Sequence, residues 1–585
     1  MGIRLYLAQI NPVVGDIKGN SDIIISHIRK ARDKDADLAV FPELSLTGYP
    51  PEDLLLKNAF VRENMEYIEK IKEEVYDIAA IVGFAYKNNN SIYNSAAVMC
   101  KKQICSIYNK QCLPNYSVFD EERYFNKGDI NYIFNLNGHP IGLNICEDIF
   151  YASGPIKVQS IAGGAELVIN ISASPYHVGK IEAREKIISA RATENIVNIV
   201  YLNTVGGQDE LVFDGNSIVV DEKGKIIARC LPYAQDILIY DIDPSRVSTV
   251  REKDTKFKNQ KNKLIDDFST IKSVDLDIGK KPGEKDTNDA GDNFLEYSRI
   301  ISCKEEEILK VLALGTGDYI RKNGFTKVVV ALSGGIDSAI VSVLASLTVG
   351  KENVTTVFMP SDFSSSESRK DSETLAANLG IKHIMIPISE IYEKYLRKLK
   401  DFFKSDEINI TKENIQARIR GNIIMAFSNE NGWLVLSTGN KSEISVGYCT
   451  LYGDMVGGFS PIKDVYKTMV YSICRFINKK YDNIIPENIL ARAPSAELKP
   501  DQKDQDRLPP YGILDQILNA YIEQDLDYRS IIKMGFDPAL VKDVLTMVDN
   551  NEYKRRQGSP GVKITARAFG KDRRYPITNR FRYTR

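Results

Sequence analysis

The chain has 585 residues and a net charge of −1, with 43% hydrophobic and 26% charged residues. Such a composition supplies enough apolar sequence for two cores, and its balanced charge sets up no overall field to draw nucleic acid or an anionic membrane. No apolar run is long enough to span a bilayer, the first residues turn polar too soon for a signal peptide, and Tyr6 stands where a myristoylation motif needs Ser or Thr.

Residues 3–10 open the chain as a strand. The runs 38–42, 78–84, 141–146, 167–172 and 199–203 are short and rich in Val and Ile, as strands buried on both faces are. Segments 20–35 and 180–196 lie between them with helical spacing, and 213–228 predicts a hairpin turning at Asp221–Gly224. Residues 1–265 therefore predict one α/β domain.

Three segments of this domain carry chemistry. Phe41-Pro42-Glu43 ends a strand on a carboxylate. Tyr108-Asn109-Lys110 places a lysine ahead of Leu113-Pro114-Asn115-Tyr116, and the run 140–145 leads into Cys146-Glu147-Asp148. A thiol becomes a nucleophile only with a base and a partner for the oxyanion. Singly, Cys146 is more often a core thiol, Glu43 a solvated strand end and Lys110 a surface charge.

Residues 273–292 break the pattern, with Lys280-Lys281-Pro282-Gly283 and no sustained apolar spacing, and predict a linker spanning 266–292. A second α/β pattern occupies 293–585, with strands at 327–332, 354–359, 384–387 and 434–437. After the first of these comes Ser333-Gly334-Gly335-Ile336-Asp337-Ser338, followed by helical sequence. Glycines let the backbone approach a phosphate chain, and free N–H groups at a helix start receive the anion. The GxxxxGK[ST] pattern of a Walker loop is absent.

The eight cysteines contain no CxxC pair and read as free thiols of a reducing, cytoplasmic compartment. The four histidines, at 27, 139, 177 and 383, show no metal-ligand spacing, which argues against a zinc site and against a histidine-based hydrolase.

The SGGxDS loop is similar to the pyrophosphate-binding loop of the N-type ATP pyrophosphatases. The order Glu43, Lys110, Cys146 resembles the triad of the nitrilase superfamily. Together they resemble the glutamine-dependent NAD synthetases across nearly the whole chain outside the linker, including residues 41–52 (FPELSLTGYPPE), 113–125 (LPNYSVFDEERYF), 172–180 (SASPYHVGK), 437–458 (STGNKSEISVGYCTLYGDMVGG) and 494–511. The resemblance implies a nitrilase-like α-β-β-α sandwich followed by a Rossmann-like parallel sheet of the adenine-nucleotide α-hydrolase type.

It also implies roles. Glu43 is the base, Cys146 the nucleophile and Lys110 the oxyanion partner, with Glu121 holding the lysine. Tyr116, Ser174 and Lys180 bind L-glutamine. Residues 333–338 with Thr438 bind ATP. Asn414, Glu443, Asp454 and Lys554 contact deamido-NAD, with Lys463 nearby. Asp337 and Glu443 hold Mg²⁺ with the ATP, and no prosthetic group is implied. Residues 494–510 form a loop that closes over the adenylate, ammonia passes from one site to the other, and the chain assembles as a homodimer through the second domain or as a larger homo-oligomer. The basic tail, 554–580, leaves a choice between nucleic acid and dinucleotide or subunit contacts. No nucleic-acid-binding signature supports the first. Another glutamine-fed ligase with a different acceptor is the alternative function.

Overall fold

The computed structural model describes residues 2–263, 271–279, 301–405 and 407–581. These fall into two compact units, one reaching residue 301 and one beginning at 302, with 209–211 grouped with the second.

The first unit is built on two sheets. One has six strands in the order Asp236–Ile242, Ile3–Gln9, Leu38–Val40, Ala79–Asn88, Ser91–Cys100, Gln103–Asn109. The other has seven, in the order Ile226–Arg229, Ile218–Val220, Asn198–Asn203, Leu167–Ser172, His139–Ile145, Asn131–Leu136, Ile271–Leu276. Their facing sides share one core, with Leu5, Leu7, Val40 and Ile81 from the first sheet against Leu143, Ile145, Ile169 and Val200 from the second. Helices Ile17–Asp33 and Asn58–Glu73 cover the outer face of the first sheet through Ile24, Ile28, Ile68 and Ile71. Helix Lys180–Asn195 covers the second through Ile188 and Ala192. This is the expected α-β-β-α sandwich. Strands 167–172 and 198–203 are buried at every position, which is why they read as unbroken apolar runs.

The expected linker is corrected in part. Ile271–Leu276 is an edge strand, pairing in parallel with Asn131–Leu136, so the first unit runs past residue 265. An edge strand buries few side chains and needs little apolar sequence. Residues 266–270 and 280–292 of that segment lie outside the described residues. The hairpin is also narrower than expected, pairing Ile218–Val220 with Ile226–Arg229.

In the second unit four parallel strands lie in the order Lys382–Met385, Val354–Phe358, Val328–Ala331, Leu434–Leu436. The chain builds outward from 328–331 and then returns to add 434–436 on its other side. That reversal creates the crevice at the strands' C-terminal ends where open α/β sheets bind ligands. Helices Ser389–Leu399 and Ile410–Asn431 pack on the face carrying Val329, Val357 and Val435. Helices between Tyr511 and Asn550 form a separate core.

Candidate functional site

In the first unit the chain brings three strand ends to one buried point. Glu43 lies beyond strand Leu38–Val40, in a turn pressed against Gly83, where a Cβ would come 2.3 Å from Pro42 O. Lys110 follows strand Gln103–Asn109. Cys146 follows strand His139–Ile145 at φ +43°, where the chain bends sharply into a single turn, Cys146–Ile149. All three are almost wholly buried.

Lys110 Nζ donates to Glu43 Oε1 at 2.7 Å and to Glu121 Oε1 at 2.8 Å. Asn94 Nδ2 and Ala173 N also donate to Glu43, at 2.7 and 2.8 Å, and Tyr49 Oη donates to Glu121 at 2.8 Å. Burial alone would lower the Lys110 pKa, but Glu121 and Glu43 outweigh it and keep the ammonium charged well above the usual lysine range. Burial pushes Glu121 up to about 7 against the pull of Lys110. Burial, then the Glu43 charge, raises the Cys146 thiol well above the ordinary thiol range, so it rests protonated.

Asp148 has a role the sequence reading did not assign. Its buried carboxylate accepts from Ile145 N at 3.0 Å, Cys112 N at 2.7 Å, Gln111 N at 3.1 Å and Tyr108 Oη at 2.8 Å. One side chain thus ties the Cys146 turn to the segment that carries Lys110. Of the three expected glutamine contacts, Tyr116 donates through Oη to both oxygens of Glu147, at 3.0 and 3.1 Å. Ser174 follows Ala173, the Glu43 partner, and its N donates to Asn203 Oδ1 at 2.9 Å. Lys180 opens helix Lys180–Asn195, and burial, then Arg184, lowers its pKa against the opposing pull of Glu147.

In the second unit the loop after strand Val328–Ala331 is held by Ser338, whose Oγ accepts from Ser333 N at 3.2 Å and donates to Gly335 O at 2.9 Å. Gly334 takes φ +80° with its α-carbon against Ser368, where a Cβ would meet Ser368 O at 2.4 Å. Helix Ile336–Val349 begins directly after it. The loop faces two adjoining cavities of about 200 and 220 Å³, whose walls share Ser333, Ser437, Thr438 and Asp454.

Lys467 dominates the electrostatics of the first cavity. Its Nζ bonds Asp337 Oδ2 and donates to Glu443 Oε1 at 2.9 Å, while Asn440 Nδ2 donates to Asp337 Oδ1 at 3.1 Å. Burial pushes Glu443 up to about 8 against Lys467. Burial works to lower Lys467, and the two carboxylates raise it further. Two hard carboxylates that converge on one ammonium beside loop 333–338 would suit Mg²⁺ arriving with phosphate and water as its other ligands. They do not form a cage of their own, since no group of three or more such side chains able to hold a metal occurs among the described residues. Lys467 is absent from the sequence reading. Its signal is a lysine in the first turn of helix Lys467–Lys480, where the helix dipole disfavours a cation.

Asn414, Asp454 and Lys554 converge on residues 447–450. Thr450 donates from Oγ1 to Asn414 Oδ1 at 2.9 Å and from N to Asp454 Oδ1 at 2.6 Å. Lys554 Nζ donates to Gly447 O and Cys449 O at 2.7 and 2.9 Å. Asp454 lines both cavities, whereas Asn414 and Lys554 are not among the wall residues of either. Lys463 lines the first and donates to Ser559 O at 2.8 Å. Residues 494–497 and 504 of the expected closing loop line the first cavity as well, and Arg492 reaches Gly334 O at 2.8 Å. In the basic tail, Arg555, Lys563 and Arg573 are buried and paired with carboxylates. No helix among the described residues is long and apolar enough to cross a membrane.

Residues 4–252 match the carbon-nitrogen hydrolase family and residues 308–558 match the NAD synthase family. The chain is 47% identical to a glutamine-dependent NAD(+) synthetase of Thermotoga maritima, covering 99% of both chains, and 45% identical to one of Aquifex aeolicus, covering 99% of this chain and all of the other. A solved glutamine-dependent NAD(+) synthetase of Acinetobacter baumannii, in complex with ADP, superposes with a TM-score of 0.72 at 38% identity over 99% of each chain.

Proposed function

The chain belongs to the glutamine-dependent NAD(+) synthetases, and we propose that it divides their reaction between the two sites just described. It is a ligase that forms a C–N bond with glutamine as amido donor. Deamido-NAD, ATP, L-glutamine and water give NAD, AMP, diphosphate and L-glutamate.

In the first unit Glu43 takes the Cys146 proton as sulfur attacks the carboxamide carbon of glutamine. Lys110, kept charged by its two carboxylates, stabilises the tetrahedral oxyanion. The proton passes to the departing nitrogen, ammonia leaves, and a thioester remains. Glu43 then activates water to release glutamate. Lys180 faces the α-carboxylate of glutamine and Glu147 its α-ammonium, with Tyr116 and Ser174 completing the pocket.

In the second unit the nicotinate carboxylate of deamido-NAD attacks the α-phosphorus of ATP. Backbone N–H groups of residues 333–338 and the Lys467 ammonium receive the departing diphosphate, while Thr438 holds the nucleotide. Magnesium, held by Asp337 and Glu443, supplies positive charge to the phosphates when bound. Asn414, Glu443, Asp454 and Lys554 hold deamido-NAD, with Lys463 beside them. Ammonia attacks the mixed anhydride and AMP leaves. Adenylation is needed because a free carboxylate is a poor electrophile.

One observation carries this reading: a buried carboxylate–ammonium–thiol set and an SGGxDS loop with an acid–lysine cluster occur on one chain. The test is a product assay from glutamine, deamido-NAD and Mg-ATP. NAD, AMP and diphosphate should appear in equal amounts with glutamate formed alongside. AMP release with xanthylate or aspartate, but not with deamido-NAD, would overturn the acceptor.

The enzyme acts in the cytoplasm, where free thiols such as its eight persist. It assembles as a homodimer through the second unit or as a larger homo-oligomer. The exposed apolar side chains Tyr395, Phe402 and Ile410 support this, Phe402 being 81% exposed. Sedimentation of the full chain tests it, and a monomer at working concentration would refute it.

A further inference from the structure

The two helices that carry Glu443 and Lys467 begin on one shared carboxylate. Asp515, on helix Tyr511–Leu518, is buried and is not among the residues that line either cavity. Its Oδ1 accepts from the Ser442 hydroxyl. Its Oδ2 accepts from Thr468 N at 2.9 Å and Thr468 Oγ1 at 2.7 Å. Ser442 Oγ in turn accepts from Lys467 N at 2.9 Å.

These links bear directly on the acid–lysine cluster. Glu443 is the neighbour of Ser442, and Lys467 the neighbour of Thr468. The Glu443–Lys467 contact of 2.9 Å joins segments 24 positions apart in the chain. A backbone bond from Lys441 N to Val465 O, together with the buried Lys441–Asp464 ion pair, fixes where the two segments meet. Asp515 fixes the residues on either side of the functional pair. All its bonds go to groups at the two helix starts, so its charge is used to set their separation.

We propose that Asp515 is a positioning residue of the adenylation site, setting the Glu443–Lys467 spacing and through it the response of the site to Mg-nucleotide without touching substrate. The inference rests on the assignment of Asp337 and Glu443 to the metal. Asparagine at 515 matches the shape of aspartate but offers only one acceptor oxygen. Its NH₂ cannot accept from Thr468 N or from a donating Ser442 hydroxyl, so one helix start loses its anchor. Misplacing a reacting or binding group by about 1 Å can cost roughly 10²-fold.

The test compares Asp515→Asn, Thr468→Val and Glu443→Gln in the full-length chain. Calorimetry follows binding of α,β-methylene-ATP, which cannot be cleaved at the reacting bond, across a Mg²⁺ titration, and thermal unfolding is recorded in parallel. Asp515→Asn should raise the Mg²⁺ concentration for half-maximal nucleotide binding about 10-fold. Thr468→Val, which removes one of the bonds, should shift it in the same direction by about threefold. A lower melting temperature with an unaltered Mg²⁺ response would make Asp515 merely structural and overturn the proposal. If Asp515→Asn does not fold, Thr468→Val decides, and an unaltered Mg²⁺ response there is equally fatal. Should Glu443→Gln also leave the response unaltered, the metal assignment itself fails. A shift in Glu443→Gln alone sinks only the positioning role.

Discussion

Lys110 bonds Glu43 at 2.7 Å, from Nζ to Oε1, at a point where neither side chain reaches solvent. The same ammonium bonds Glu121, so two carboxylates share one cation. The ammonium in turn stands ready for the negative charge that moves first to sulfur and then to the carbonyl oxygen. Burial makes both interactions stronger than they would be in water.

The proposed nucleophile lies in the first unit and the proposed adenylation cluster in the second, so the two functions should separate by mutation. Cys146→Ala should abolish NAD formation from glutamine, a loss of more than about 10³-fold, yet retain most turnover with added ammonium. Product assays with the two nitrogen sources check this. Loss of ammonium-supported turnover in a folded variant would rule out two separable sites.

Glu43 has two effects on Cys146 that act in opposite directions. Its negative charge helps burial raise the thiol pKa, so Glu43→Gln should lower that pKa and increase the thiolate fraction at a fixed pH. Alkylation by iodoacetamide, followed between about pH 6 and 10, should therefore speed up at neutral pH and its midpoint should move down. Glutamine hydrolysis should nevertheless fall by about 10²- to 10⁴-fold, because the base is gone. A midpoint that stays put would mean that burial alone sets the thiol pKa.

What the sequence makes legible follows from burial. Strands ending near Glu43 and Cys146 are buried on both faces and read as apolar runs, so the residues after them stand out. Strand Gln103–Asn109 is only half-buried, and Lys110 is legible through a motif rather than through the element beneath it. Edge strand Ile271–Leu276 alternates weakly and does not announce itself, whereas Asp236–Ile242 carries an apolar run, 237–240, that the sequence reading passed over. Lys467 and Asp148 act through partners distant in the chain, so their roles emerge only with the fold, although a lysine in a first helical turn is a faint local signal for Lys467. The loop 333–338 is the opposite case, since its glycines and its helix start are local and their chemistry can be read where they stand.

Gly334 and Gly335 should differ sharply despite being neighbours. Gly334 has φ +80°, and a Cβ there would come 2.4 Å from Ser368 O and 2.9 Å from Ser368 Cα, both backbone atoms. Gly335 has φ −92°, and a Cβ would meet only Ser333 Oγ, at 3.4 Å. Alanine at 334 costs about 1 kcal/mol or more for the left-handed conformation alone, and the loop must shift to relieve the overlap. Gly334→Ala should therefore lower AMP formation more than about 10-fold with either nitrogen source, and Gly335→Ala by less than about threefold. AMP release under saturating deamido-NAD measures both. Equal effects would show that the steric approach to Ser368 is unimportant to the loop.

Lys467 should matter more than its absence from any obvious motif implies. Its ammonium bonds both Asp337 and Glu443, and removing it leaves two part-buried carboxylates without their shared cation. Stripping one partner from a buried charge cluster costs several kcal/mol, and the departing diphosphate also loses a fixed cation. Lys467→Met keeps the apolar stem and removes only the charge. It should reduce AMP formation by about 10²- to 10³-fold with glutamine and with ammonium alike. Lys467→Arg should fall between the two, since it keeps the charge but needs more room than the buried site gives an ammonium. Alkylation of Cys146 should stay at its unaltered rate in both variants, which separates a local loss from global unfolding. If Lys467→Met released AMP at near-normal rates, the cation would be a structural counter-charge only, and the loop's own N–H groups would have to receive the diphosphate without it.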